Sequence, residues 1–369
     1  MVKIVGHEVD FPEGKTPFPA QMAVMSKALT ALTRGQNGLL ESPTGTGKTL
    51  ALLTSALTWQ QKEFEEAVAS RRAAAAQAAE AAEDMEQDHE DEGDMSKGTK
   101  KRVRSHNKVA DGGEENAADP NKDKDKDKGR GEGRAPRAKA PTKKKIIFTS
   151  RTHSQLQQVV GELRNCSETY TNGLVMCVLG SRSHLCTNQS LRQRVREGRV
   201  AWEEGCRELC KRNACSQQMG MFRVRDKLAG EIWDVEDAVR IGEKVHGCSY
   251  YGSRELFQEA SLVLCPYNYV LDANIRSALS IDIEDSVVIF DEAHNLEDTC
   301  RTSASLSYAH SALDMACDQL SELAESGMPA FVALRDLLVS LKAWFDKTWS
   351  VLSPEDCRRG SNVWRGEEV

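Results

Sequence analysis

The chain has 369 residues, is 40% hydrophobic and 28% charged, and carries a net charge of −7. That length implies two or three domains with a sizeable core. No apolar run approaches the roughly 18 residues of a membrane-spanning helix, and the N-terminus lacks an apolar signal core, so neither a membrane span nor a secretory route is expected. Eleven cysteines in such a chain point to metal ligation rather than to a disulfide framework.

In chain order, Val2-Lys3-Ile4-Val5 reads as a first strand. Thr16-Pro17 then predicts an N-cap with proline in the first helical turn, and Met22, Met25, Leu29 and Leu32 recur at helical spacing up to Gly35. Gln21 lies on this helix, and its paired donor and acceptor suit an adenine edge. Gly38-Leu39-Leu40 reads as a short buried strand leading into Glu41-Ser42-Pro43-Thr44-Gly45-Thr46-Gly47-Lys48-Thr49. A strand, a glycine loop ending in Gly-Lys-Thr and a following helix are the sequence form of a P-loop. Loop N–H groups and the helix N-terminus converge on an anion there. Residues 42–49 are thus the expected ATP-binding set. Lys48 would reach the β- and γ-phosphates, and the Thr49 hydroxyl would ligate Mg²⁺. Ser42 replaces the first glycine of the usual pattern.

The P-loop helix is expected to run to about Trp59. From 60 to 142 the sequence is alanine-rich, then acidic, then basic, with a Lys-Asp repeat at 122–128. Such composition cannot offset ordering entropy, so a disordered charged insertion is predicted, with a frayed helix at its start. The basic clusters suit nuclear import, a nucleic-acid arm or a solvated linker. Ile146-Ile147-Phe148 resumes as a buried strand and leads into Ser150-Arg151-Thr152-His153-Ser154-Gln155, a loop suited to nucleic-acid phosphates. A helix with Leu156, Val159, Val160 and Leu163 inward follows, then a strand over 175–179 that ends in Gly180-Ser181-Arg182. Arg151, Thr152, His153 and Arg182 are the candidate DNA contacts.

Residues 183–250 hold Cys186, Cys206, Cys210, Cys215 and Cys248 among many arginines and lysines. Five thiols without histidines at finger spacing fit a four-thiolate site for zinc or an iron–sulfur cluster. A strand over 261–265 precedes Pro266-Tyr267-Asn268-Tyr269, and Val287–Phe290 is the next strand, ending in Asp291-Glu292-Ala293-His294. Acidic residues at a buried strand's end complete a P-loop site. Asp291 would hold Mg²⁺ through water, and Glu292 would orient and deprotonate the attacking water. After Leu296 helical patterns dominate.

This order of motifs resembles the XPD-type iron–sulfur DNA helicases of superfamily 2. The resemblance implies an α/β fold: a RecA-like P-loop parallel sheet forming helicase lobe 1 over 1–182 and 251–296. An inserted iron–sulfur domain at 183–250 and the start of a helical arch at 297–369 complete it. It implies ATP-driven 5′-to-3′ movement on single-stranded DNA and unwinding of structured DNA, with roles in repair, recombination and telomere maintenance and a nuclear location. ATP, Mg²⁺ and a 4Fe–4S cluster are the implied cofactors. Cys186 and Cys248 match the flanking cluster ligands, Cys206 the second and Cys215 the third, with Cys210 as the alternative to Cys206. Gln21 matches the adenine-contacting glutamine, and His294 the residue that couples the nucleotide site to the DNA-binding loops.

The family's second lobe, which supplies arginines to the nucleotide, would follow the arch. The chain is therefore expected to be the N-terminal part of the motor, unable to unwind DNA alone. An ATP- and DNA-binding module without productive turnover is the competing expectation. An RNA helicase sharing Asp-Glu-Ala-His is a third, opposed by the cysteine-rich insertion.

Overall fold

The computed structural model describes residues 1–12, 14–43, 45–90, 141–305 and 310–351. Thr44 and the basic clusters at 100–104 and 122–128 lie outside the described residues. The chain divides into two compact units, one comprising Met1–Val270 with Arg276–Ala293, the other Leu271–Ile275 with His294–Val369.

The first unit opens with a small antiparallel hairpin, β1 (Val2–Ile4) and β2 (His7–Val9), turned through Val5 and Gly6, both at positive φ. Helix α1 (Pro19–Thr33) follows, starting after Phe18 rather than at Thr16. Met25 and Leu29 are buried as the spacing predicts, while Met22 is exposed; Gln21, Val24 and Ala28 complete the inner face. The inward stripe is thus shifted from the predicted one.

Helix α2 (Lys48–Glu90) begins at the P-loop and packs on α1 with Leu53, Ala56 and Leu57. It corrects the expected stop near Trp59. Burial does end about there, because Gln60 is buried and every residue from Ala69 to Ala78 is exposed. The helix continues because alanine, glutamate and arginine are strong helix formers and the anchored first turns have already met the nucleation cost. Absence of a core was legible; absence of order did not follow for 60–90.

Four parallel strands make the sheet: β3 (Ile146–Ser150), β4 (Met176–Val178), β5 (Leu262–Pro266) and β6 (Val287–Phe290), in the order β4-β5-β3-β6. Register is level across the centre, with Phe148 opposite both Leu264 and Ile289. β3 is buried throughout, as its unbroken apolar run implies for a sheet covered on both faces. Helix α3 (His153–Arg164) buries Leu156, Val159, Val160 and Leu163 and packs on α2 and β5. Short helix α4 (Glu168–Thr171) follows, and its Tyr170 donates or accepts at Thr58 of α2, 2.6 Å away.

The predicted strand Gly38-Leu39-Leu40 is not formed: 36–43 has no strand pairing and Leu39 is 93% exposed. Three apolar residues form a strand only beside a partner. β6 has β3 as its sheet neighbour among the described residues, and its four residues are half-buried.

The cysteine-rich segment folds within this first unit as α5 (Arg182–Leu185), α6 (Gln189–Arg196), α7 (Trp202–Lys211), α8 (Met221–Leu228), α9 (Val235–Lys244) and α10 (Ser249–Leu256). α10 packs against β4 and α8. Gly247 passes so close to Gly220 that a Cβ would stand 2.3 Å from its carbonyl oxygen, which fixes glycine there. After β5 come α11 (Asn268–Leu271) and α12 (Ala273–Leu279).

In the second unit lie α13 (Leu296–Ser303), α14 (His310–Ala324) and α15 (Pro329–Val351). α14 and α15 form a helical hairpin with an ion pair between Lys342 and Asp314.

Candidate functional site

The loop before α2 has the backbone its glycines predict: Gly45 and Gly47 stand at φ +76° and +69°. At Gly47 an added Cβ would fall 2.4 Å from Gln21 Nε2 and would have to displace that amide, and the positive φ strains any side chain there. Ser42, in place of a glycine, sets its hydroxyl 2.8 Å from Thr46 Oγ1, and Thr46 donates to the Pro43 carbonyl at 2.9 Å. Lys48 Nζ donates to the Ser42 carbonyl at 3.0 Å and stands 3.6 Å from the Glu292 carboxylate.

Thr49 is the first link to the far end of the sheet. Its hydroxyl donates to Asp291 Oδ2 at 3.1 Å, across 242 positions of sequence. Asp291 follows β6 directly, and its N–H still donates to Thr149 of β3 at 3.0 Å. Asp291 is 8% exposed. Burial pushes its pKa up and Glu292 adds to that, against the Thr49 bond and the Lys48 charge. Glu292 then turns left-handed, at φ +57°. A glutamate held there costs about 1–3 kcal/mol, and such strain persists where its surroundings over-determine it. The four side chains thus meet as two oxygen donors, a carboxylate and an ammonium. Hard oxygen donors suit Mg²⁺, and the ammonium suits phosphate. His294 lies in the following turn of the second unit, with its Nε2 2.9 Å from Asn295 Nδ2.

Gln21 is 4% exposed, and both ends of its amide are engaged within the protein. Its Oε1 accepts the Phe18 N–H at 2.9 Å, and its Nε2 donates to the Gly47 carbonyl at 3.2 Å. It braces the start of α1 against the P-loop, a contact that sequence gave no sign of.

At the end of β3, Arg151 and Thr152 are exposed. Thr152 caps α3, accepting from Gln155 N at 3.3 Å while Gln155 Oε1 accepts the Thr152 N–H at 3.1 Å. His153 is half-buried with its ring 4.3 Å from that of His184. Burial, and then His184, push its pKa down to about 4, so at neutral pH it offers a ring and no charge. Arg182 is grouped with these residues by sequence. The fold sets its guanidinium 4.4 Å over the Tyr250 ring and in the lining of the cysteine cavity.

All five thiols line that one cavity: Cys186, Cys206, Cys210, Cys215 and Cys248. Cys206 and Cys210 lie one helical turn apart on α7, so the cavity includes both. Asn188 Nδ2 stands 3.4 Å from Cys215 Sγ. Burial pushes Cys248 up to about 12 and Cys210 up to about 11, and raises Cys186 as well. Among the described residues, no three histidine, cysteine or acidic side chains gather around a point that one ion would fill. The thiols ring a space instead.

The DEAD_2 family matches residues 148–313, and the family described as type III restriction enzyme, res subunit, matches residues 14–158. Regulator of telomere elongation helicase 1 of Rattus norvegicus is 37% identical over 311 residues, covering 82% of this chain and 20% of that protein. The Homo sapiens protein of that name is 35% identical over 344 residues, covering 89% and 24%. Between them the two family matches run from residue 14 to residue 313, and the chain is similar over most of its length to these helicases. It spans about a fifth to a quarter of the length of these relatives. A solved structure titled "Truncated XPD" aligns over 54% of this chain and 52% of its own, at 16% identity and a TM-score of 0.31.

Proposed function

We propose that this chain is the first motor lobe of an ATP-dependent DNA helicase that moves 5′ to 3′ on single strands and unwinds structured DNA. Repair, recombination and telomere maintenance in the nucleus are its proposed setting. The observation that carries the reading is the meeting of Lys48 and Thr49 with Glu292 and Asp291. Two short motifs far apart in sequence arrive at one place with the charges that phosphoryl transfer needs.

In the proposed mechanism the γ-phosphate displaces Glu292 and the Ser42 carbonyl from Lys48, which then balances phosphate charge. Thr49 and Asp291, now hydrogen-bonded to each other, would hold Mg²⁺, which would supply charge neutralisation to the nucleotide's phosphates. Glu292, released from Lys48, orients a water and takes its proton. Residues 42–47 other than Pro43 would supply loop N–H groups, and Gln21 sets the loop's position from α1. His294 is assigned the coupling of nucleotide state to DNA contact. Arg151 is assigned to the DNA backbone, with Thr152 holding the loop and His153 packing it against His184.

The thiol ring is proposed to hold a 4Fe–4S cluster through Cys186, Cys215, Cys248 and either Cys206 or Cys210. Thiols spread around a cavity suit several irons better than one zinc, whose thiolates would all lie about 2.3 Å from a single point. Arg182 would then serve the cluster's wall. Two measurements test the whole: ATP hydrolysis by wild type against Lys48→Ala, and the iron content and absorbance of anaerobically purified protein. Equal hydrolysis by both proteins would overturn the nucleotide site; zinc in place of iron would overturn the cluster.

A further inference from the structure

The Asp-Glu turn has a support outside the motifs. Tyr267 is the first residue after β5, and its side chain is 2% exposed. Its N–H donates to the Ser150 carbonyl at 3.1 Å, tying it to the end of β3. Its phenol O–H donates to the Asp291 carbonyl and, at 3.1 Å, to the Glu292 carbonyl. The Phe290 ring lies 6.0 Å away, tilted by 54°.

Strand pairing reaches Asp291 N, and beyond it the Tyr267 phenol takes the two carbonyls that follow. Glu292 meanwhile holds a left-handed backbone that glutamate seldom adopts. The phenol satisfies the carbonyls that flank the unusual torsion and thereby fixes the direction in which the Glu292 side chain leaves the turn.

We propose that Tyr267 is a positioning residue for Glu292: its phenol holds the left-handed turn that aims the carboxylate at the attacking water. This rests on the reading of Glu292 given above. Phenylalanine in its place keeps the ring in the core and removes the donor alone.

The test is Tyr267→Phe in the protein carrying this chain together with any second lobe encoded with it, with Phe290→Leu and Lys48→Ala as comparisons. A misplacement near 1 Å costs on the order of 10²-fold, so kcat for ATP hydrolysis should fall by about that much while the nucleotide KM stays within about twofold. Backbone amide exchange should rise over 291–294 and stay unchanged elsewhere. Phe290→Leu, which disturbs packing and spares the donor, should keep most of its activity.

An unchanged kcat in Tyr267→Phe overturns the positioning role and leaves the nucleotide site standing. So does exchange that rises throughout the sheet, or loss of the melting transition, since the phenol would then be holding the fold. Loss of kcat in Phe290→Leu as large as in Tyr267→Phe assigns the effect to packing and overturns the role too. Wild-type protein no faster than Lys48→Ala overturns the reading of the site itself, and the positioning role with it.

Discussion

The nucleotide loop and the cysteine cavity lie in one compact unit and are built in opposite ways. At the loop, polar groups from distant parts of the chain already satisfy one another: Thr49 bonds Asp291, Lys48 faces Glu292, and Gln21 bonds Gly47. At the cavity, thiols from one stretch of chain line a space, and burial raises the pKa of Cys186, Cys210 and Cys248. In the proposed mechanism the first site exchanges these partners for its ligand. The proposed cluster would complete the second, with proton release on binding, and would thereby contribute to folding there.

The sharpest way to break this comparison is at the loop. Lys48→Ala should lower ATP hydrolysis by about 10²–10³-fold, the scale for losing one preorganised charge-stabilising group. The melting temperature should barely move, because Lys48 is partly exposed and its pairing with Glu292 is worth little. Cys248→Ser should show the reverse pattern: iron lost, and protection from proteolysis lost across 183–250, with the sheet intact. If that variant keeps full iron, the cavity is not the cluster site. Of Cys206→Ser and Cys210→Ser, one should retain iron and one should not; loss in both would mean that the two thiols are not alternatives.

A smaller effect concerns Asp291. Its folded-state pKa is raised by burial, so its charged form weighs against the fold. The stability linked to this group is present below the unfolded carboxylate pKa, about 3.9, and is lost as pH rises through the folded value. Without Mg²⁺, Asp291→Asn should therefore raise the melting temperature at pH 7, and the gain should vanish at pH 3. A gain of equal size at both pH values would point to the Thr49 hydrogen bond instead. The smallest effect is expected from replacing 71–140 by a Gly/Ser linker. Hydrolysis should hold within about twofold, since loop closure depends only weakly on length. Gln60 must stay, because it donates to the Ser261 carbonyl at 2.9 Å and to Lys144. A collapse in rate with iron retained would make that segment part of the motor.

Much was legible because it is local or periodic. Leu156, Val159, Val160 and Leu163 face inward at the predicted spacing, and the β3, β5 and β6 apolar runs became adjacent parallel strands. The P-loop glycines adopt the positive φ that their placement required. Gly38-Leu39-Leu40 failed as a strand because strand formation depends on a neighbour, which no short run contains. The helix past Trp59 was misjudged because burial and helix propensity are separate quantities, and alanine supplies the second without the first.

By itself the sequence determined which chemistry could occur: a glycine loop with a lysine, an acidic pair closing a strand, and five thiols within one stretch. Those are properties of residue types and short spacings. Tertiary structure decided which side chains meet. It paired Thr49 with Asp291, turned Arg182 to Tyr250, set the His153 ring against that of His184, and brought the Tyr267 phenol to the carbonyl of a left-handed glutamate. Each of those contacts spans positions that no local pattern relates, and each depends on a register that only the assembled sheet and helices fix.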